Sequence, residues 1–538
     1  MAGRVFRIQT GLTAMIDIHP PFGDTPPTET IVARIRDNAA RHPERLALVC
    51  GDQRLGWGDF DAQINRVANL LLGIGLAKGD NVAILSPNSI PYATLFMGVL
   101  RAGGCVTPLS SMASSEALRK MLVDSGAKAI FVGETYRDLL DGFLHDMDIH
   151  RYAIDFEADG YAPYEAALAA ADTTDPMVPV EMKDAFNLIY SSGTTGTPKG
   201  ILHNHEMRAA QMDRVSPNGY DAEARTLLST PLYSNTTIVS FVPTLFGGST
   251  VYLMPKFDAR GYLEIVQRER ITHTMLVPVQ YKRIMDLPDF DTFDLSSMKM
   301  KFSTSAPLRA DVKRDVLARF PGKLIEYYGL TEGGGVTVLV ADEHPDKLHT
   351  VGLPAPGNEI RLIDAAGSEV APGEVGEICG RGPTMMAGYF GRDDLTADYI
   401  WRDPEGRVFF RSGDMGYLDP DGYLVLSDRK KDMIISGGLN IYANDLELVL
   451  LDDPDVTDAA VIGVPSDAWG ETPLGLVVLR DGAARGAPEI LDRANGRLGK
   501  SQRLSAVELR DSLPRSSIGK ILKKDLREPY WAAEREKT

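Results

Sequence analysis

Eleven consecutive residues, Tyr190-Ser191-Ser192-Gly193-Thr194-Thr195-Gly196-Thr197-Pro198-Lys199-Gly200, concentrate hydroxyls, glycines and one cation. Glycine lets a backbone turn tightly and bring its N–H groups against an anion. Ser191, Ser192, Thr194, Thr195 and Thr197 add donors, and Lys199 adds positive charge. That chemistry suits a nucleoside triphosphate. The Walker spacing places Lys directly after Gly with Ser or Thr next, whereas here Thr197-Pro198 intervenes and Gly200 follows. The segment is a phosphate loop of another kind, and it needs a strand before it and an anchored element after it. Phe186–Tyr190 reads as a short buried strand and Ile201–Arg208 as a helix.

Three other groups carry chemistry. In Tyr327-Tyr328-Gly329-Leu330-Thr331-Glu332 an aromatic ring could serve a purine face, the glycine a close backbone approach, the hydroxyl a phosphate and the carboxylate a metal ion. In Arg411-Ser412-Gly413-Asp414 a strand-edge carboxylate could accept from both hydroxyls of a ribose, or merely cap a turn. Near the end, Leu513-Pro514-Arg515-Ser516-Ser517-Ile518-Gly519-Lys520 sets a lysine on a Gly-containing loop. His203 and His205, two apart on the expected helix, point to different faces, which argues against a metal pair and leaves both outside the catalytic set.

The elements that must position these residues alternate. Helices are expected over Ile31–Arg41, Asp61–Gly73, Ile90–Ala102 and Glu116–Ser125, with strands Ala47–Cys50, Asn81–Leu85, Cys105–Leu109 and Ala129–Val132 between them. The rhythm returns in strand Thr226–Thr230, helix Ile238–Gly247, strand Thr250–Met254, helix Ala259–Glu269 and strand His273–Val277. Such alternation predicts parallel sheets covered on both faces. From Thr350 short strands and turns take over, with Asp419-Pro420-Asp421-Gly422 as a turn between two apolar strands. The fold class is therefore α/β. A large N-terminal domain, 1–428, holds two doubly wound α/β subdomains and a β-rich subdomain, and a small C-terminal α+β domain, 429–538, follows, whose mobility is implied by the family resemblance given below.

Composition bounds the function. With 538 residues, 44% hydrophobic and 24% charged, the chain reads as a soluble multidomain protein. A net charge of −17 repels nucleic acid and anionic membranes, so polyanions must be drawn in locally. Cys50, Cys105 and Cys379 lack metal-ligand spacing and fit a reducing compartment. Met1–Phe22 lacks the apolar core of a signal peptide, and Ala93–Leu109 is broken by Arg101 and Gly103-Gly104, so no membrane span is expected and the location read is cytoplasmic.

Taken together and in this order, the landmarks resemble the AMP-forming acyl-CoA synthetases, of the acyl-adenylate-forming superfamily, including fatty-acid and 4-coumarate–CoA ligases. Thr226–Tyr233, Ser303–Leu308, Gly352–Gly357 and Trp469-Gly470-Glu471 also look like family segments. The resemblance implies that Ser191 to Thr197 and Lys199 hold the β,γ-phosphates of ATP. Tyr327, Tyr328 and Gly329 then serve adenine, with Ser305, Ala306 and Pro307 along its edge, while Asp414 and Arg429 bind the ribose. Thr331 is implied to bond the α-phosphate and Glu332 to hold Mg²⁺, with Lys520 as the catalytic lysine and Lys431 as the hinge. Tyr233, Ser234, Asn235, Gly333 and Gly334 fall at the acyl pocket, and Ser436, Gly437 and Gly438 at the CoA tunnel. The implied reaction adenylates a hydrophobic acid (aryl, arylalkanoic or medium-chain) and passes the acyl group to CoA. The expected partners are that small acid and CoA, with a monomer or homodimer as the assembly. Loading of a carrier protein, or non-catalytic binding of an acyl-adenylate, are the alternatives.

The chain departs from the common family pattern after Pro231-Leu232-Tyr233, where Ser234-Asn235 stands in place of a histidine, a change that could widen the pocket. Gly333-Gly334-Gly335 either removes side chains from the acyl floor or permits a tight turn.

Overall fold

The computed structural model describes residues 29–538 apart from 192–197, 215–216, 430–431, 437–438, 467–468, 484, 500–501, 517–518 and 536–538. Ser192, Gly193, Thr194, Thr195, Gly196, Thr197, Lys431, Gly437 and Gly438 thus lie outside the described residues, as do the side chains of Ser191 and Arg429.

The helix Ile90–Arg101 explains how the two largest sheets come together. Its sequence is apolar on every side, its start is capped by Ser89, and Ile90 and Tyr92–Arg101 are all buried. A helix of that kind must lie between layers rather than on a surface. Phe96 meets Phe186 of one sheet and Phe241 of helix Asn235–Phe246, each at 5.9 Å between ring centroids. At Gly98 a Cβ would sit 2.4 Å from the Val67 side chain, so this glycine sets how closely helix Trp57–Gly73 approaches. Arg101, 1% exposed, closes the layer by donating to Asp61 and Asn65, each at 2.6 Å.

Among the described residues one sheet has nine strands and another eight, both mainly parallel. The first runs parallel through Leu46–Cys50, Thr250–Leu253, Arg225–Leu228, His273–Leu276, Met300–Ser303 and Lys323–Tyr328. The second runs parallel from Ala162–Pro163 through Asn81–Leu85 to Ala185–Ser191. The expected rhythm holds for most elements, with one correction at the site. Residues 199–204 form a strand, Lys199–Asn204, antiparallel to Ala185–Ser191, and the helix begins only at His205. The reason is visible locally. Strand Lys199–Asn204 also pairs with Gly388–Tyr389, so both of its edges find partners, and Asn204 caps the helix by accepting from the Met207 N–H at 2.8 Å. The phosphate loop therefore joins two strands of a hairpin.

A five-stranded antiparallel sheet built from Glu359–Ile363, Gly376–Arg381, Val408–Leu418, Ile400–Arg402 and Leu424–Arg429 forms the β-rich unit. Beyond it, Ile434–Ser436, Leu439–Ile441, Val456–Ser466, Gly470–Leu479 and Ala506–Leu509 make another five-stranded sheet with its own core around Ile434, Leu446, Val461 and Val477. No helix among the described residues is long and apolar enough to cross a membrane.

One buried ion pair ties this fold to the site. Lys313 and Glu326, 2% and 1% exposed, pair with each other. Glu326 also accepts from the Leu308 N–H at 2.7 Å, and Lys313 donates to the Leu348 and Thr350 carbonyls at 2.8 and 3.0 Å. Burial pushes the Glu326 carboxyl up, and Lys313 opposes that. Lys313→Ala strands a carboxylate in the interior, which costs about 3–5 kcal/mol. Thermal denaturation of that variant should show a large fall in midpoint.

Candidate active site

Four neighbouring parallel strands, Arg225–Leu228, His273–Leu276, Met300–Ser303 and Lys323–Tyr328, end at one edge of the nine-stranded sheet. The segments leaving that edge carry Tyr233, Ser234 and Asn235, then Val277–Val279, then Ser305, Ala306 and Pro307, then Gly329, Thr331 and Glu332. Ligands of open α/β sheets bind outside the carboxyl ends of the strands, where main-chain groups are exposed and side chains can vary without disturbing the core. Ser305 stands at φ 80°, strained for a residue with a Cβ, and its hydroxyl is hydrogen-bonded to Thr236.

The phosphate-loop cation and the candidate metal carboxylate are joined through two tyrosines. The Lys199 ammonium donates to the Tyr399 hydroxyl at 2.8 Å and lies 4.7 and 5.6 Å from the Tyr399 and Tyr389 ring centres. The Tyr389 hydroxyl donates to the Glu332 carboxylate at 2.9 Å. Burial and the adjacent Glu332 charge both raise the Tyr389 phenol, so it remains a donor. On the other flank, the Tyr328 hydroxyl donates to Asp414 at 3.0 Å, and Asp414 lies opposite Arg429 across the strand pair. Tyr327 accepts from the Asn218 amide at 3.3 Å and stacks on Phe302. Tyr389 and Tyr399 were not expected from the sequence; the signal was Gly388-Tyr389-Phe390, too short to distinguish from a strand end.

Behind Thr331 sits a buried polar group that the sequence also did not expose. The His203 Nε2 lies 2.7 Å from the Thr331 carbonyl, and its Nδ1 lies 2.8 Å from Arg208 Nη2 and 3.1 Å from Asn187 Nδ2. Arg208 donates through Nε and Nη2 to the Asn187 carbonyl oxygen at 3.1 and 2.8 Å. Burial lowers His203 well below its ordinary range, with Arg208 adding to the effect, and burial brings Arg208 down to about 9. The legible hint was polar Asn187 and His203 inside otherwise apolar strands.

At the expected acyl pocket, Ser234 caps helix Asn235–Phe246 by accepting from the Thr236 N–H at 3.3 Å. The Tyr233 hydroxyl and the Asn235 side-chain oxygen are buried without a hydrogen-bond partner among the described residues. Gly333 and Gly334 do not hollow out a floor. Their φ values are 73° and 79°, and a Cβ would meet the Thr384 carbonyl oxygen at 1.9 Å and Phe410 at 2.6 Å. The space their missing side chains leave is filled by protein, so tight turning and close packing account for them. Ser436 ends the strand Ile434–Ser436 of the C-terminal sheet, which lies between Leu439–Ile441 and Gly470–Leu479, and it pairs with Gly470.

Lys520 is carried on a braced loop. The Arg515 Nη2 donates to both carboxylate oxygens of Asp458, at 2.7 and 2.6 Å, and its Nη1 to the Gly519 carbonyl at 2.6 Å. The Lys520 N–H bonds the Ser516 hydroxyl at 3.2 Å. A Cβ at Gly519 would lie 2.2 Å from the Val279 side chain, so this loop of the C-terminal unit packs at the same strand edge as the other candidates.

The Lys199 hairpin, linked to Glu332 through Tyr399 and Tyr389, and the Lys520 loop, packed on Val279, thus flank the ends of those strands. The chain belongs to the AMP-binding enzyme family: its model matches residues 35–390, and that of the AMP-binding enzyme C-terminal domain matches 445–520. A feruloyl-CoA synthase of Amycolatopsis sp is 34% identical over 499 residues, covering 91% of this chain and 97% of that protein. An indoleacetate–CoA ligase of Aromatoleum aromaticum is 32% identical over 501 residues, covering 91% and 96%. The crystal structure of ATP-bound MatB from Rhodopseudomonas palustris superposes with a TM-score of 0.84 at 29% identity, covering 93% of this chain and 98% of that one.

His205 generates a pH prediction. It is 2% exposed, packs edge-on against Phe186 at 5.0 Å, and burial lowers it from 6.5 to about 4. Between those values the unfolded chain takes up a proton that the native one refuses, so stability is present at neutral pH and falls as pH drops through the window. The loss reaches on the order of 3 kcal/mol at the acid end. Denaturant titrations at successive pH values should show it, and a His205→Gln variant should show a shallower slope.

Proposed function

We propose that this protein is an ATP-dependent acid:CoA ligase that adenylates an aryl, arylalkanoic or medium-chain carboxylic acid and transfers the acyl group to CoA. The observation that supports this reading is the pair of contacts Lys199–Tyr399 and Tyr389–Glu332, which links the lysine read as the phosphate cation to the carboxylate read as the metal ligand. An aryl acid is favoured by the relatives and by the unpartnered Tyr233 hydroxyl and Asn235 oxygen, which suit a polar substituent on a ring.

In the first half-reaction the carboxylate oxygen attacks the α-phosphorus of ATP, the bond from that phosphorus to the β-bridging oxygen breaks, and pyrophosphate leaves. Both reactants are anionic, so cations must hold them in line. Lys199 and the loop from Ser191 to Thr197 take the β,γ-phosphates, and Thr331 and Lys520 take the α-phosphate, with Lys520 also steering the acid. Tyr328 and Ser305-Ala306-Pro307 receive adenine, and Asp414 with Arg429 the ribose. Glu332 fits Mg²⁺, which binds through one or two carboxylates and completes its shell with phosphate oxygens and water. When bound, the ion neutralises phosphate charge. In the second half-reaction the CoA sulfur attacks the acyl carbon, the carbon–oxygen bond to AMP breaks, and AMP leaves. A boundary at Arg429 with Lys431 as hinge lets the C-terminal unit exchange Lys520 for the Ser436-Gly437-Gly438 segment between the halves.

The test is pyrophosphate release with ATP and Mg²⁺ over a panel of fatty, aryl and arylalkanoic acids, with and without CoA. A hydrophobic acid should give sustained turnover that needs CoA and yields its thioester, whereas one turnover per enzyme regardless of CoA points to another acceptor. Lys520→Ala should lose adenylation by about a hundredfold or more, the size of one removed transition-state contact. Thioester formation from preformed adenylate should change far less, and equal loss in both halves contradicts the role.

A further inference from the structure

The polar cluster behind Thr331 takes no part in the chemistry above, yet it is built with care. Asn187 and His203 are direct partners across the hairpin strands and both are fully buried. Arg208, 1% exposed, reaches them from the helix His205–Ala210 and also donates to Gln211 at 3.3 Å. Its partners are an amide oxygen on each of Asn187 and Gln211 and an imidazole nitrogen, with no carboxylate pairing it among the described residues. An arginine taken out of water without an ion pair is an expensive way to fill space.

What it accomplishes follows from donor counting. A guanidinium only donates, and the Asn187 amide nitrogen only donates, so the His203 Nδ1 they both face must accept. The ring proton is thereby placed on Nε2, the atom 2.7 Å from the Thr331 carbonyl, which can only accept. The tautomer is set by its neighbours, and the result is a fixed donor aimed at the peptide between Thr331 and Glu332. The tether matters because the chain beyond is permissive: Gly333, Gly334 and Gly335 follow with φ of 73°, 79° and 82°. The Glu332 carbonyl accepts from the Met386 N–H at 2.8 Å and its carboxylate from Tyr389 at 2.9 Å. Thr331-Glu332 is held by the hairpin and by the Met386–Tyr389 segment, whose strand Gly388–Tyr389 pairs with that hairpin.

We propose that His203, oriented by Arg208 and Asn187, is a positioning residue that holds the Thr331 carbonyl and so sets the Thr331 hydroxyl and Glu332 carboxylate against the phosphates and metal of Mg²⁺-ATP. This rests on the reading of Thr331 and Glu332 given above.

Two side-chain replacements separate orientation from mere support. In His203→Asn the amide oxygen stands near the old Nδ1 and can still accept from Arg208, but nothing reaches Thr331. In His203→Gln the amide nitrogen stands near the old Nε2 and can still donate to Thr331. Calorimetric titration with ATP in Mg²⁺ and in EDTA, alongside thermal denaturation, is run on both and on Glu332→Gln. The expected result is about a tenfold weaker Mg²⁺-ATP affinity for His203→Asn, the worth of one buried hydrogen bond, with most of it restored in His203→Gln. A purely structural histidine predicts instead that both variants bind alike, or that affinity follows thermal stability whichever amide is present, and either result overturns the proposal. If Glu332→Gln loses the Mg²⁺ dependence while His203→Asn binds as the parent does, the positioning role alone falls. If Glu332→Gln keeps the full Mg²⁺ dependence, the reading of the Thr331-Glu332 segment falls and takes the proposal with it.

Discussion

The active site depends on a contact of backbone against backbone. Gly333–Gly335 turn left-handed against Gly380 and Thr384 so closely that a Cβ at 380 would lie 1.8 Å from the Gly334 carbonyl oxygen, and one at 335 would lie 2.7 Å from the Gly380 Cα. Side chains on either surface would wedge the nine-stranded sheet away from the β-rich unit. Because they are absent, Asp414 of the β-rich unit accepts from Tyr328 of the nine-stranded sheet, while Tyr389 reaches Glu332 from the eight-stranded sheet. Neither pair exists within a single sheet. Close approach is therefore what turns separate segments into one nucleotide site.

Electrostatics work locally in this protein. A chain of net charge −17 offers no general field to draw in a triphosphate. At the candidate site Lys199 rests against tyrosine rings and a phenol oxygen, so its charge is not cancelled by an adjacent carboxylate in the contacts described. Hydrogen bonds to neutral groups orient a cation while leaving its charge available. Lys313, by contrast, is neutralised by Glu326, and its task is to anchor the Ser305–Leu308 segment rather than to meet a ligand.

Much of this was legible in the residues. Alternating strands and helices announced parallel sheets covered on both faces. Glycine, hydroxyl and lysine spacing marked a candidate phosphate loop, and the strand before it is present. The misreading of 201–204 as helix shows the limit. Ile201 and Leu202 satisfy either period, and the strand Gly388–Tyr389 that pairs with them comes from nearly two hundred residues away, beyond any local pattern. Likewise Asn204 is an ordinary cap in retrospect, but it competes with several polar neighbours until the hairpin is seen.

Local chemistry in the sequence determined which groups could bind phosphate, ribose, metal and carboxylate, because residue type and short spacing are sufficient for that. Tertiary structure alone decided that Tyr389 donates to Glu332, that His203 faces Thr331 with Nε2 protonated, and that a Cβ at Gly333 or Gly334 would strike Thr384 or Phe410. Each of those depends on distance between chain segments that are remote in sequence, and hydrogen bonds and van der Waals contacts act only over a few ångströms. Residue order cannot state such distances; the folded sheets can.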